Sequence, residues 1–247
     1  MDYISNKIFD FLKDTFEQTG KKSAVIGLSG GVDSATSFYL LSEVLKPENI
    51  FVSHLFYFQP MTSLLEPMLK EKGIPENNIS FLSIRESVDM VAETLKVRSD
   101  RKARIGNIAA RVRMIFLFDL AKKTNSLVCG TENKSENLLG YFTRFGDQAS
   151  DIEPIAHLYK TEVYKLAKHL GVPKEIIMQK PTAGLWQGQT DEGEFGFTYE
   201  EADKVLHLYF DKHQEIDEIE RLGFKNARKV IKLTKLNEFK HKVPYHL

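Results

Sequence analysis

The sequence predicts an α/β fold, a doubly wound parallel sheet with a helical C-terminal extension. Two observations predict the sheet and a third the extension. Short apolar runs at residues 23–28, 50–58, 79–84 and 127–129 are too brief for helices and suit buried strands. They alternate with segments of helical periodicity, and right-handed crossovers between such units give a parallel sheet covered on both faces. From residue 199 onward the strand-like runs stop and only helical spacing remains.

In order, Ile4, Ile8, Phe11, Leu12 and Phe16 recur as one face of a helix that ends near Gly20. The first strand runs into Ser29-Gly30-Gly31-Val32-Asp33-Ser34, and residues 35–41 read as helix. Paired glycines, small hydroxyls and a helix start make an anion site. Glycine lets the backbone turn and approach a ligand, while free N–H groups and the helix dipole attract phosphate. Asp33 would repel phosphates unless a cation lay between, which points to Mg2+. A Gly-Gly turn with no ligand is the plain alternative. No Lys-Ser or Lys-Thr completes a P-loop, and G-x-G-x-x-G is absent.

The next strand, 50–58, is followed by a helix at 61–72, a strand at 79–84, a helix at 87–95, a long helix at 101–123 and the strand 127–129. In the long helix Ile105, Ile108, Val112 and Ile115 form a stripe, Arg104 and Arg111 flank it, and Arg113 points roughly opposite. Such arginines usually form a solvated edge. Gly106-Asn107 inside a helix suggests close approach by another backbone or a ligand. Residues 130–151 read as a polar, glycine-punctuated loop, and 160–170 as a helix stopped by Gly171 and Pro173. A second irregular stretch, 179–197, holds the only tryptophan, Trp186, and glycines at 184, 188, 193 and 196. Loops of this length are functional or disordered. Helices are expected at 199–210, 211–222 and 226–236, with a short tail from His241.

The 247 residues show no repeat, linker or second core, and read as one domain over 1–247. Thirty-four basic residues balance thirty-four acidic ones, which disfavours nucleic acid as a partner. The single cysteine, Cys129, excludes an intrachain disulfide, a Cys-x-x-Cys zinc site and two-cysteine sulfur relay chemistry. Its apolar setting reads as a small buried hydrophobe rather than a nucleophile. The opening residues do not read as a signal peptide and no run approaches membrane-spanning length, so no membrane partner and a cytoplasmic location are expected.

The six residues from Ser29 to Ser34 resemble the pyrophosphate loop of the ATP pyrophosphatases, which cut ATP to AMP and pyrophosphate. Further motifs narrow the likeness: Gly106-Asn107 with Ala110-Arg111-Val112-Arg113-Met114; Gly130-Thr131-Glu132-Asn133-Lys134-Ser135-Glu136; and Gly140-Tyr141-Phe142-Thr143-Arg144-Phe145-Gly146-Asp147. Asp151-Ile152-Glu153-Pro154-Ile155, Leu158-Tyr159-Lys160-Thr161, Pro181-Thr182-Ala183, Gly188-Gln189-Thr190-Asp191-Glu192 and His241-Lys242 complete the series. In this order and over nearly the whole chain, they resemble the ammonia-dependent NAD synthetases.

That resemblance implies a Rossmann-like sheet of the adenine nucleotide α-hydrolase type. It also implies a ligase that joins ammonia to the nicotinate carboxylate of deamido-NAD in the last step of NAD biosynthesis. ATP would adenylate the carboxylate, pyrophosphate would leave to the glycine loop, and ammonia would displace AMP. Gly27, Leu28, Ser29, Gly30, Gly31, Val32, Asp33 and Ser34 would hold ATP, joined by Thr131, Lys160 and Thr182. Asp33, Lys160 and Thr182 would act in catalysis, and Asp33 and Glu136 would hold Mg2+. Arg111, Arg144, Asp151, His241 and Lys242 would line the deamido-NAD site near the interface of a homodimer. Arg144 departs from the family, where lysine is common, and a planar fork is not equivalent to an ammonium. The chain is too short for the amidase domain of glutamine-dependent relatives, so free ammonia is the expected nitrogen donor. No general base stands out. The rival readings are another pyrophosphate-loop enzyme, such as a tRNA-modifying ligase or GMP synthetase core, and a nucleotide sensor or flavoprotein-like module without turnover.

Overall fold

A computed structural model of the chain describes residues 1–182, 184, 186 and 188–245. Strands β1 (Ala24–Gly27), β2 (Ile50–Phe56), β3 (Ile79–Ser83) and β4 (Leu127–Cys129) form a parallel sheet in the order β3-β2-β1-β4. An isolated bridge from Cys129 to Ile152 prolongs it at the β4 edge. Strand side chains alternate between two cores, as the pleat requires. Ala24 and Ile26 face one core, whereas Val25 faces the other with Val128.

The larger core lies under α1 (Asp2–Thr19), α2 (Val32–Val44), α3 (Thr62–Glu71) and α7 (Lys160–Leu170). Packed against β1, α1 and α7, α2 buries nine of its thirteen residues, Phe38 and Tyr39 among them. The opposite face is covered by α4 (Arg85–Thr94) and α5 (Lys102–Thr124). The sheet is therefore doubly wound. The strand order reverses at β1, with β2 on one side and β4 on the other, so a crevice opens at the carboxyl ends of these strands.

Three short helices escape the sequence pattern because too few turns exist to show a period. They are α6 (Lys134–Leu139) inside 130–151, α8 (Lys174–Ile177), and α9 (Asp191–Phe195) inside the stretch read as irregular. The Asn133 side chain caps α6 by accepting the Glu136 N–H at 3.0 Å, and Gly140 ends it at φ +64°. The C-terminal extension contains α10 (Tyr199–Leu206), α11 (Ile216–Arg221) and α12 (Ala227–Asn237). The helix expected at 199–210 gives way to a π turn over 207–211, and the one expected at 211–222 shortens to α11.

On α5 the apolar stripe ends early. Ile108 and Val112 are buried, but Ile115 is 59% exposed. The buried face is completed by the small residues Gly106, Ala109 and Ala110. They admit the loop after α6, where a Cβ on Gly146 would lie 3.1 Å from that of Ala110, and Thr143 Oγ1 donates to Asn107 Oδ1 at 2.9 Å. At Asn107 this loop is the close neighbour.

Candidate active site

The glycine loop leaves β1 at the crevice and enters α2. Gly31 at the N-cap has no side chain to cap the helix, and Asp33 lies in the first turn. The hydroxyls of Ser29 and Ser34 shape the loop: Ser34 Oγ accepts the Ser29 N–H at 3.2 Å and donates to Gly31 O at 3.0 Å, and Ser29 Oγ accepts the Gly31 N–H at 3.2 Å. Gly30 sits at φ +93°, and a Cβ there would meet Met61 Sδ at 2.5 Å. Both conformation and space demand glycine.

Behind the loop is a residue the sequence reading did not single out. His54 on β2 is buried, and its Nδ1 donates to Leu28 O at 2.7 Å while Nε2 accepts the Met61 N–H at 3.0 Å. Those partners fix a neutral imidazole, and burial lowers its pKa below the usual 6.5. His54 thus ties the loop to the residue that covers Gly30.

Asp33, Lys160 and Glu136 meet at the mouth of the crevice. Lys160 Nζ lies 2.5 Å from Asp33 Oδ2 and 2.8 Å from Glu136 Oε1, and Asn133 Nδ2 donates to Asp33 Oδ1 at 3.0 Å. Burial alone would lower the Lys160 pKa, but the two carboxylates raise it, so the ammonium is held. Burial pushes the Glu136 carboxyl up to about 7 against the opposing pull of Lys160.

The Lys160 backbone is anchored through two further buried residues outside the expected set. Ser135 Oγ accepts the Lys160 N–H at 2.8 Å and donates to Asp203 Oδ1 at 2.5 Å, while Asp203 Oδ2 accepts the Thr161 N–H at 2.8 Å. Asp203 stands on α10, so the helical extension fixes the first turn of α7. Tyr199, also on α10, places its ring 5.2 Å from Lys160 Nζ and donates its hydroxyl to Asp191 Oδ2 at 3.1 Å.

The other expected residues divide. Thr131 lies half-buried just past β4, on the turn that leads to Asn133. Thr182 is exposed, and its hydroxyl accepts the Gly184 N–H at 3.0 Å. Arg111 is exposed on α5, whereas Arg113 reaches inward and donates from Nε to Leu55 O at 2.9 Å. Arg144 and His241 each lie against an aromatic ring, the guanidinium 5.1 Å from the Phe239 ring and the imidazole 5.4 Å from Phe142. Lys242 pairs with Glu238, while its neighbour Lys240 donates to Gly140 O at 2.6 Å and Phe142 O at 3.0 Å. Asp151 is exposed, and its Oδ2 accepts the Val128 N–H at 2.7 Å in the middle of β4.

A second acidic pair lies beside β4. Glu153 accepts the Glu132 N–H at 3.0 Å and the Ser150 hydroxyl at 2.8 Å. Burial, with mutual repulsion for Glu132, pushes Glu132 up to about 8, and burial pushes Glu153 up to about 7. Gly130 makes room for it, since a Cβ there would lie 1.8 Å from Glu153 Oε1. Cys129 is buried and burial keeps its thiol well above the usual range, as expected of a packing residue.

The Asp33 and Glu136 carboxylates converge on a point already held by a cation, and hard oxygen donors suit Mg2+. Among the described residues no group of three or more His, Cys, Asp or Glu could hold an ion. A metal there would complete its shell from substrate oxygens and water, which is how Mg2+ is commonly held. Among the described residues no helix is long and apolar enough to cross a membrane.

Known proteins resemble this chain over nearly its full length. The NH(3)-dependent NAD(+) synthetase of Fusobacterium nucleatum is 38% identical over 98% of this chain and 93% of its own. Among solved structures, the NMN synthetase of Francisella tularensis superposes with a TM-score of 0.84 at 30% identity, covering 100% of this chain and 98% of that one. The NH3-dependent NAD synthetase of Campylobacter jejuni gives 0.75 at 30% identity with the same coverage. Residues 4–244 match the model of NAD synthase, and with the glycine loop, the carboxylate pair and the helical extension all in place, the chain belongs to the NAD synthase family.

Proposed function

We propose that this chain is a ligase that uses ATP to amidate deamido-NAD with ammonia, giving NAD, AMP and pyrophosphate in the last step of NAD biosynthesis. The observation that carries the reading is the convergence of Asp33, Glu136 and Lys160 at the N-terminus of α2, in a chain of this family. A nicotinate carboxylate resists ammonia because its charge repels nucleophiles and its leaving group is oxide. Attack of a carboxylate oxygen on the α-phosphorus of ATP forms the acyl-adenylate and releases pyrophosphate. Ammonia then adds to the acyl carbon, AMP departs with the C–O electron pair, and the surplus proton goes to solvent.

The protein's share is positioning and charge stabilisation. The glycine loop and first turn of α2 offer N–H groups to the departing pyrophosphate, from Gly27 through Ser34. Lys160 supplies a positive charge, and Thr131 and Thr182 donate to ATP. Asp33 and Glu136 would hold Mg2+, which spreads the phosphate charge when bound. Arg111, Arg144, Asp151, His241 and Lys242 are assigned to deamido-NAD, Arg144 and His241 each lying against an aromatic ring. We further assign the chain to the cytoplasm as a homodimer, the exposed Ile115 on α5 being one apolar element of the shared face. A monomer mass in sedimentation at micromolar concentration, with full activity, would refute the dimer.

A second reading concerns substrate length. The likeness to the Francisella NMN synthetase, at TM-score 0.84, favours nicotinate mononucleotide as the acceptor, with identical chemistry at the carboxylate. Incubation with ATP, ammonia and Mg2+ plus either deamido-NAD or nicotinate mononucleotide tests both. We expect NAD, AMP and pyrophosphate from the dinucleotide; amidation of the mononucleotide alone transfers the assignment, and formation of neither amide overturns it.

A further inference from the structure

We infer that Lys160 is a built-in cation that closes the Asp33–Glu136 site to a free divalent ion, so that metal enters with the nucleotide and not before it. The inference rests on the reading of Asp33 and Glu136 as the metal carboxylates.

The geometry leaves no second place for a cation between these groups. One ammonium lies 2.5 Å from an oxygen of Asp33 and 2.8 Å from an oxygen of Glu136. Its side chain is 3% exposed, and each carboxylate is 17% exposed. The other Asp33 oxygen is engaged by Asn133, and the Tyr199 ring flanks Lys160. Mg2+ sits about 2.0–2.1 Å from its oxygens and keeps a near-octahedral shell, so it cannot share that space with the ammonium.

Charge gives the same result. Lys160 already places a positive charge on the carboxylate oxygens that a divalent ion would otherwise neutralise. Opening the site therefore requires the ammonium to move to another anion. The polyphosphate of a nucleotide seated on the glycine loop supplies one, next to Asp33 at the start of α2. The motion is confined to the side chain. The Lys160 N–H is held by Ser135, which Asp203 holds in turn, while a lysine's four-carbon stem and three rotatable donors let the ammonium turn to a competing anion.

The test is Mn2+ binding to the full chain without nucleotide, followed by electron paramagnetic resonance. Wild type, Lys160→Met, and Lys160→Met combined with Asp33→Asn are compared, with Lys160→Gln as a second variant against misfolding. Removal of the ammonium is expected to tighten Mn2+ binding at least tenfold, about 1.4 kcal/mol. Wild type is expected to reach the same affinity range only with a methylene-bridged ATP analogue present. Wild type that binds as tightly as the Met and Gln variants overturns the inference, as does saturation of wild type by equimolar Mn2+ alone. If the double variant still binds tightly, the carboxylate assignment itself is wrong, a separate failure that leaves the inference without its site.

Discussion

Replacement of Asp203 by Asn tests whether the helical extension sets the position of Lys160. The carboxylate accepts two hydrogen bonds, from Ser135 Oγ at 2.5 Å and from Thr161 N at 2.8 Å, and Ser135 Oγ in turn accepts the Lys160 N–H. Asparagine has one accepting oxygen. If that oxygen keeps Thr161, its amide group faces a Ser135 oxygen whose own proton then lacks a partner. One charge-assisted bond is lost, worth roughly 1.5–3 kcal/mol. Loss of the negative charge at the α7 N-terminus adds about 0.3–1 kcal/mol. Burial raises the Asp203 pKa, so relief from burying a charge offsets part of this. A net cost of about 2 kcal/mol is expected. At roughly 2–4 °C per kcal/mol for a chain of this size, the melting temperature should fall by about 4–8 °C. With Lys160 displaced, kcat should fall at least tenfold under saturating ATP while the KM for the nicotinate substrate changes little. Urea unfolding and steady-state kinetics read the two effects separately. A variant within ~0.5 kcal/mol of wild type, with unchanged kcat, would refute the reasoning.

Asp33→Asn should fold normally yet lose adenylation, read as AMP and pyrophosphate in a single turnover; wild-type rates at saturating Mg2+ would exclude its metal role. Glu132 has a folded pKa of about 8, above the ordinary 4.5, so its contribution to stability is full below pH 4.5 and lost as pH rises through 8. Glu132→Gln should therefore gain roughly 2 kcal/mol over wild type between pH 5 and pH 9, a figure discounted for partial exposure; pH-independent differences in urea midpoint would contradict this. The stretch 179–197 is expected to act as a lid, with Trp186 emission changed and proteolysis within it slowed when ATP, the nicotinate substrate and Mg2+ are all present. Unchanged emission and cleavage would rule the lid out. That expectation partly falls on Ala183, Leu185 and Gln187, which lie outside the described residues.

The sheet was legible because its strands are short apolar runs, wholly or nearly buried in β1 and β4 though half exposed in β3, and the glycine loop because phosphate binding needs glycines before a helix. Asp33 was legible as an acid in the wrong company. His54, Ser135 and Asp203 were not, since each acts through backbone groups that carry no sequence label: the Leu28 carbonyl and the Met61, Lys160 and Thr161 N–H groups. Asp151 combines the two cases. The motif marks it, and its Oδ2 also holds Val128, a backbone contact no motif announces. The stretch 179–197 misled because its last seven residues look as polar as its first; burial of Phe195 and Phe197 against the extension, at 5% exposure each, ties that end down.

The clamp that His54 places on Leu28 and Met61 has a consequence for the division of labour within the crevice. A receptor whose contour is set in advance loses little entropy when its guest arrives, so the glycine loop can discriminate a polyphosphate at first encounter. On the lid expectation, ordering costs of about 1–2 kcal/mol per residue would then fall on 179–197, where Gly184 at φ +62° and Gly188 at φ +80° have open space around them. Recognition of the leaving group is thereby separated from exclusion of water. Acid should blur that separation first at its hinge, because a second proton on the imidazole removes the acceptor that Met61 requires.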